Sequence, residues 1–304
     1  MNTKTIKKLS ILCIIAIAII ILFYIPTPVV GKEYNTEIAT IEGRYLHFSL
    51  DDVQRTCENL SKHDKGTIFA EPTLKILKQW HDKYGIVVSL YVQGDFTINS
   101  KYAKELIDNS DWLKWGYHGN TDNARKTDMQ SFYKQITDSI GSSAVIDNSP
   151  RIHYFHADHT TCIALKDLGC NGFLTCDDWS WNSKKRGSNY YLTPSQNRTL
   201  DKNDRLYDTE NKVYFIKTDF RLEHIAQRWG DINNCLEYYS TNNTEDKELI
   251  IFSHEWCYNS FLDEADYIFS WANPNGYEFD FPENRIPTNN KDIQNENYYY
   301  CTHL

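Results

Sequence analysis

The sequence predicts an α/β protein: a closed or nearly closed β/α barrel of seven or eight strands, preceded by an N-terminal transmembrane segment. Two observations support this prediction. Short apolar runs alternate with amphipathic helical patterns over about 230 residues, an order typical of a largely parallel sheet with helices packed outside it. The first thirty residues differ from the rest, because three lysines there precede a run of seventeen residues without charge.

The basic start and the apolar run at residues 9–25 are typical of a signal peptide or a membrane anchor. The run reaches the short end of a spanning helix, and no clear cleavage site of small residues follows it. We therefore expect residues 1–30 to be an uncleaved, single-pass anchor in the cell membrane. Because lysines stay on the cytoplasmic side, the remaining chain would lie outside. A secreted protein with a cleaved signal segment is the alternative.

Seven apolar runs predict strands and six periodic patterns predict helices, within one domain at residues 40–272. The predicted strands lie at 44–50, 86–92, 113–118, 151–156, 171–176, 212–220 and 248–254. The predicted helices lie at 71–85, 101–109, 128–141, 161–169, 225–239 and 261–271. In the first helix, Pro72 suits the first turn and Gly85 suits the end. Residues 273–304, rich in Asn and Tyr, are expected to pack on the barrel or to trail from it.

Composition argues against one class of partner and is compatible with another. The net charge of −9 argues against nucleic acid. Aromatic residues make up 14% of the chain, which fits either a core of large side chains or a sugar-binding cleft. Seven of the eight cysteines follow the apolar run, but no CxxC pair occurs, so a structural zinc site is not expected.

Polar residues end or directly follow five of the predicted strands, at the edge where a β/α barrel has its active site, and Arg151 lies within the strand predicted at 151–156. They are Asp51 and Asp52; His118 and Asp122; Arg151, His156, Asp158 and His159; Asp177, Asp178, Trp179 and Trp181; and His254, Glu255 and Trp256. Histidine and carboxylate ligands at one rim suit a divalent, zinc-like cation. Such a cation would neutralise one of two adjacent aspartates and leave its neighbour as a base beside metal-activated water.

The segments FSLDD, GYHGNTD, RIHYF, CDDW and IFSH occur in the order of the five motifs of the polysaccharide deacetylase family. Over residues 44–256 the chain thus resembles these NodB-homology enzymes, of the carbohydrate esterase family 4 type, as a divergent member. The resemblance implies a distorted, incomplete barrel and a divalent metal ion, Zn²⁺ first, with Co²⁺ or Ni²⁺ as alternatives. It also implies hydrolytic removal of N- or O-acetyl groups from a cell-surface or extracellular carbohydrate.

The resemblance also assigns roles to residues that match the motifs. The first motif implies that Asp51 is the general base and Asp52 a metal ligand. The second motif has two metal-binding histidines four residues apart. Here His118 matches the first of them, Asp122 stands at the second position, and His156 is the alternative third ligand.

The last three motifs supply the acid, a supporting arginine and the walls of the cleft. Arg151 would steady the base, and the proline expected two residues later is replaced by His153. His254 would be the general acid that protonates the leaving group. Contacts with the substrate are implied for Tyr154, Asp178, Trp179, Phe252 and Trp256.

Two other functions stay open at this point. In the fourth motif the first aspartate is missing, and Thr175 stands in its place. The changes in the second, third and fourth motifs would fit a member that binds glycan without hydrolysing it. A metal-independent glycoside hydrolase would use two carboxylates, Asp51 with Asp178 or Glu255. The segment 217–224, which contains Glu223, is expected to be a salt-linked loop rather than a substrate contact.

Overall fold

The computed structural model describes residues 33–62, 66–119, 125–155, 157–177, 189–242 and 248–285. Their strands are β1 (Thr36–Ile38), β2 (Tyr45–Asp51), β3 (Val88–Val92), β4 (Leu113–Tyr117), β5 (Gly172–Asp177), β6 (Arg205–Asp208), β7 (Val213–Thr218), β8 (Phe220–Arg221), β9 (Glu248–His254) and β10 (Glu278–Phe279). Their α-helices are α1 (Arg55–Lys62), α2 (Pro72–Tyr84), α3 (Ala103–Asp108), α4 (Lys126–Ile140), α5 (His159–Lys166), α6 (Pro194–Asn203), α7 (Ile225–Trp229), α8 (Ile232–Glu237) and α9 (Leu262–Ala272). The predicted anchor at 1–30 lies outside these residues. Within them, none of the helices combines the length and hydrophobicity needed to cross a bilayer.

Strand β2 is central in the larger sheet, whose order is β4-β3-β2-β9-β8, with β10 beside the start of β2. All pairs in this sheet are parallel. Every residue of β2 is buried, as expected of a strand covered on both faces. The register places Ser49 opposite Phe252 and Asp51 opposite His254. The two predicted catalytic side chains therefore leave the sheet at the same level.

The smaller sheet has the order β1-β6-β7-β5, and only its β5–β7 pair is parallel. The predicted strand 212–220 is divided between the two sheets, because β7 ends before Asp219 and β8 begins after it. Asp219 donates its N–H to the carbonyl oxygen of Ile250 at 2.9 Å, and its carboxylate accepts the Ile250 N–H at 2.8 Å. These bonds draw the chain beside β9, so the backbone passes from one sheet to the other at Asp219.

The predicted barrel does not close as one hydrogen-bonded cylinder in the described part of the chain, and the predicted strand at 151–156 is wrong. The segment 145–152 lies between β4 and β5 without forming a regular strand. It exchanges backbone hydrogen bonds of 2.8 and 3.0 Å with Trp115 of β4 and accepts one of 3.1 Å from Leu174 of β5. The chain then turns at His153–Phe155, whose last two residues have φ of +54° and +56°. Because left-handed residues cannot continue a strand, the barrel is interrupted here.

Helix α2 confirms the prediction for 71–85. The Glu71 carboxylate caps its first turn by accepting the Leu74 N–H at 3.0 Å, and Gly85 ends it with a φ of +77°. The predicted helix at 225–239 is instead two helices, α7 and α8. Gly230 separates them, with a φ of +84° that an α-helix cannot contain.

The described part of the predicted tail, 273–285, packs on the barrel. Strand β10 pairs with β2, and the Glu283 carboxylate accepts the backbone N–H of Asn148 at 2.8 Å. Beside this contact, Asp147 is fully buried and accepts the Ser149 N–H at 2.6 Å. Burial, and then the charge of Glu283, raise the pKa of Asp147 to about 7.

Candidate active site

Asp51 is the last residue of β2, and its carboxylate is buried against a guanidinium group. Arg151 Nη1 lies 3.0 Å from Asp51 Oδ1 and 2.6 Å from Ser49 Oγ, and Nη2 donates to Thr218 Oγ1 at 3.3 Å. Arg151 has no exposed surface and Asp51 is 1% exposed. The guanidinium carbon also lies 4.2 Å from the centre of the Phe252 ring. Arg151 therefore holds the Asp51 carboxylate in one orientation at the carboxyl edge of the sheet.

The Asp52 side chain lies at the same edge of the sheet as that of Asp51, because the backbone turns after β2. Its φ of +59° lies in the left-handed region, which aspartate enters more readily than most residues. Oδ1 lies 3.3 Å from His118 Nε2 and 3.9 Å from His153 Nε2, and Oδ2 accepts the indole N–H of Trp256 at 3.1 Å. Burial raises the pKa of Asp52, but contact with His118, the charge of His254 and the indole N–H outweigh it. The pKa of Asp52 is therefore well below its usual range.

His118 follows β4, and its ring has a defined orientation. Nδ1 lies within hydrogen-bond distance of the carbonyl oxygen of Arg151, which can only accept, so Nδ1 carries a proton. The lone pair of the neutral ring is then on Nε2, which faces Asp52. Burial lowers the pKa of His118, but the charges of Asp51 and Asp52 outweigh it and raise the pKa above its ordinary value. A cation at Nε2 would replace the proton that these carboxylates attract.

His153 is brought to Asp52 by the turn that interrupts the barrel. Non-glycine residues held in the left-handed region, as Tyr154 and Phe155 are, cost about 1–3 kcal/mol each. The turn is fixed by two backbone hydrogen bonds: the His153 N–H donates to the His118 carbonyl oxygen at 2.9 Å, and the Phe155 N–H closes the turn at 2.7 Å. As a result, the rings of His118 and His153 lie with their centres 5.2 Å apart.

Asp52, His118 and His153 form a group that fits a divalent cation. One ligand atom from each lies within 4.8 Å of the other two. Asp52 Oδ1 is buried and accepts no well-aligned hydrogen bond from the described residues. One carboxylate oxygen and two imidazole nitrogens are a ligand set found in catalytic zinc sites, with a further position for water. The carbonyl oxygen on His118 Nδ1 is the kind of outer contact that orients such ligands.

His254 ends β9 and is oriented by Glu223, which lies in the turn after β8. Glu223 Oε1 lies 2.8 Å from His254 Nδ1 and accepts the His254 backbone N–H at 2.9 Å. Burial raises the pKa of Glu223, but contact with His254 and with the Cys257 thiol outweighs it and lowers the pKa to about 2. The ionised carboxylate accepts the Nδ1 proton. Nε2 is therefore the nitrogen left to exchange a proton with a bound molecule.

Aromatic side chains form the walls of the site. Phe252 is buried, whereas Trp256 is 66% exposed and its ring stacks on His254 with centres 5.2 Å apart. Tyr154 is 38% exposed, and its ring centre lies 4.1 Å from that of His153. Together with the acids and histidines, these rings line a cavity of about 360 Å³, within the size range of small-molecule sites.

The structure brings most of the predicted site residues to this cavity. It is lined by Asp51, Asp52, His118, Tyr154, Phe252, His254 and Trp256, and Arg151 lies behind Asp51. Asp122, His156, Asp178 and Trp179 lie outside the described residues, so the predictions made for them are not tested.

The sequence assigns no role to five residues that line the cavity: His153, Phe155, Arg221, Glu223 and His224. Two of them, His153 and Glu223, contact the predicted metal ligand and the predicted acid. His153 carries a signal, because it follows Arg151 within the third motif-like segment. Glu223 carries none, since it precedes His254 by 31 residues and follows a different strand. The expected salt-linked loop at 217–224 is present in part, because Arg221 Nη2 pairs with an Asp177 carboxylate oxygen at 3.0 Å.

Glu255, a candidate second carboxylate for a glycoside hydrolase, is used elsewhere. It is 3% exposed, and its two oxygens accept the N–H groups of Arg55 and Thr56 at the start of α1, at 2.9 and 2.8 Å. A carboxylate engaged in this way does not face the cavity, so nothing here supports pairing it with Asp51.

The fold and this edge of the sheet define the class. The protein has a polysaccharide deacetylase-like fold, in which an interrupted β/α barrel carries acids and imidazoles at the carboxyl ends of its parallel strands. A crystal structure of a candidate polysaccharide deacetylase from Mycobacterium smegmatis aligns with a TM-score of 0.51 and 8% identity, over 86% of this chain and 96% of that chain. The polysaccharide deacetylase of Bacillus cereus aligns with a TM-score of 0.38 and 12% identity, over 78% and 91%. No family model and no curated protein sequence matches the chain. The alignment with the Mycobacterium smegmatis structure confirms the resemblance for the fold alone, at 8% identity.

Proposed function

We propose that the protein is a metal-dependent hydrolase that removes acetyl groups from a carbohydrate. The observation that carries this proposal is the convergence of three sets of side chains on one cavity. They are a carboxylate held by an arginine, an aspartate beside two imidazoles, and a histidine held by a glutamate. These are the parts that hydrolysis of an amide or ester needs: a base, a cation site and an acid.

Asp52, His118 and His153 would hold the metal ion, and Zn²⁺ suits their nitrogen and oxygen ligands best, with Co²⁺ and Ni²⁺ as substitutes. The ion supplies Lewis-acid polarisation of a carbonyl group and a water of lowered pKa when it is bound. His153 replaces Asp122 and His156 as the favoured third ligand, because its Nε2 lies 3.9 Å from Asp52 Oδ1.

Two side chains of this chain would handle the protons. Asp51 accepts a proton from the attacking water, and Arg151 keeps its carboxylate oriented while it does so. His254 donates a proton from Nε2 to the departing nitrogen or oxygen, because Glu223 occupies Nδ1. Asp51 and His254 are partners in the β2–β9 register, so they flank one point from neighbouring strands.

The walls suit an acetylated sugar. Phe252 lines the cavity, and its ring packs on the guanidinium that holds Asp51, so it would contact the acetyl methyl group. Trp256 and Tyr154 are exposed at the mouth and offer ring faces to a pyranose. The membrane anchor at residues 1–30 remains a prediction, as does the location of the following chain outside the cell. The idea that the substrate is a cell-surface glycan depends on both.

Acetate release from a panel of N- and O-acetylated oligosaccharides tests the proposal. The metal-free chain is assayed with Zn²⁺, Co²⁺, Ni²⁺ or EDTA. Release that depends on added metal is the expected result. Binding of glycan without acetate release under any metal would instead indicate a non-hydrolytic member of the fold. New reducing ends formed in the presence of EDTA would indicate a glycoside hydrolase.

A further inference from the structure

The general-acid histidine lies in a second cluster of metal-ligand atoms, separate from Asp52 and its two imidazoles. Glu223, His254 and Cys257 each offer one ligand atom within 4.8 Å of the other two. Glu223 Oε1 lies 2.9 Å from Cys257 Sγ and 2.8 Å from His254 Nδ1. The cluster is built by the fold, because the turn after β9 sets the His254–Cys257 spacing with a 3.1 Å backbone hydrogen bond.

We propose that Glu223, His254 and Cys257 form a second, weaker binding site for Zn²⁺, distinct from the site at Asp52. A thiolate, an imidazole and a carboxylate are a ligand set that a borderline-soft cation prefers to Mg²⁺ or Ca²⁺. The thiolate and the carboxylate together carry two negative charges, which balance the two positive charges of the ion. Orienting His254 needs only Glu223, so the thiol at 2.9 Å is the feature that a purely orienting role leaves unexplained.

Two further observations fit an ion here. Glu223 Oε2 is buried and has no hydrogen-bond partner among the described residues, so the carboxylate has an oxygen to spare. Glu223 and His254 also line the 360 Å³ cavity, so the cluster lies at its wall. Binding forms bonds from Zn²⁺ to Sγ, to Nδ1 and to a carboxylate oxygen. It releases the Sγ and Nδ1 protons to solvent.

Zinc bound at this second site would inhibit the proposed deacetylase activity. With Nδ1 bound to zinc, the ring keeps its proton on Nε2 and has no free nitrogen on which to become an imidazolium. It therefore cannot cycle as a general acid. This inhibition rests on the proposed function, whereas the binding does not.

Cobalt absorption tests the binding directly, because a thiolate on Co²⁺ gives a charge-transfer band in the near ultraviolet. The full metal-free chain is titrated with Co²⁺ and, separately, with Zn²⁺ followed by dialysis and elemental analysis. We expect the band to appear only after a first metal equivalent has bound. It should persist in Asp52→Asn, which removes the first site, and be lost in Cys257→Ser. Zinc affinity at the second site should fall in Cys257→Ser by more than the roughly 10–100-fold typical of losing an outer contact.

Cys235→Ser is the matched control, because Cys235 is a free thiol on α8 that is not part of the cluster, and this variant should keep the band. A wild-type chain that saturates without a thiolate band overturns the proposal. So does a band that survives in Cys257→Ser. If a variant fails to fold, the absence of the band from the wild-type spectrum still overturns the proposal. A band that follows this pattern in a chain without deacetylase activity would refute the proposed function and leave the second site established.

Discussion

Replacing Asp51 by asparagine should remove the base and also leave a buried charge without its partner. Arg151 Nη1 lies 3.0 Å from Asp51 Oδ1, and the two side chains are 0% and 2% exposed. Removing one partner of a buried ion pair costs about 3–5 kcal/mol of stability. Losing a positioned base costs about 10²–10⁴-fold in rate. Asp51→Asn should therefore lower both stability and activity. The metal content of this variant should stay unchanged.

A double variant separates the two effects. In Asp51→Asn combined with Arg151→Met, both charges are gone, so the cost of leaving one buried charge without its partner is removed. Most of the lost free energy of unfolding should return, while activity should not. His118 should keep its orientation, because it contacts the backbone carbonyl oxygen of Arg151 and not the side chain.

The assay compares the free energy of unfolding of the wild type, Asp51→Asn and the double variant. Unfolding is measured in urea with EDTA, so that metal binding does not add to stability. Zinc content and kcat/KM are measured on the same samples. Recovery of activity in the double variant would mean that Asp51 acts only by supporting the fold. Loss of zinc from Asp51→Asn would mean that Asp51 is itself a ligand. Either result would refute the division of roles between the two aspartates.

Three further predictions follow from other contacts. His153→Ala should weaken Zn²⁺ binding by at least about 10²-fold in equilibrium dialysis, because a ligand contributes more than an outer contact; loss of zinc from Asp122→Asn with zinc retained in His153→Ala would instead restore the original third ligand. Glu223→Gln should lower kcat by roughly 10²–10⁴-fold, because it changes the orientation and charge around His254. Zinc content at the Asp52 site and KM should stay nearly unchanged in this variant. The folded-state pKa of Asp147 is raised to about 7, so its contribution to stability is greatest below about pH 4 and falls as the pH rises to about 7, by about 1.4 kcal/mol per pKa unit. Asp147→Asn should flatten that part of the profile in urea unfolding with EDTA, and an unchanged slope would contradict the assignment.

Sequence patterns predicted those parts of the fold that local chemistry determines. The cap and end of α2 are readable from Pro72 and Gly85, and the apolar runs identify β2, β3, β4, β5 and β9. Helix α6 had a readable signal as well, because Thr193 and Gln196 form a capping box at its start. Helix α1 did not, since its first N–H groups are satisfied by Glu255, about 200 residues away in the chain.

The predicted strand at 151–156 failed for a physical reason that no local pattern reveals. Tyrosine and phenylalanine favour strands, yet Tyr154 and Phe155 are held in left-handed conformations by the surrounding structure. That same turn delivers His153. The site therefore could be predicted where strand ends alone position a residue, as for Asp51, His118 and His254. It could not be predicted where a tertiary turn does so, as for His153 and Glu223.

The left-handed backbone at Asp52 limits how the proposed set of metal ligands could be changed. Glutamate could coordinate a cation, but at a φ of +59° a side chain of that kind adds about 1–2 kcal/mol of backbone strain. Asparagine keeps the conformation and loses the charge, and glycine keeps the conformation and loses the ligand. The backbone at this position thus favours aspartate, asparagine or glycine, and of these three only aspartate offers a charged ligand. Any redesign of metal preference would have to keep Asp52 and vary the two imidazoles, one of which, His153, is set by a single strained turn.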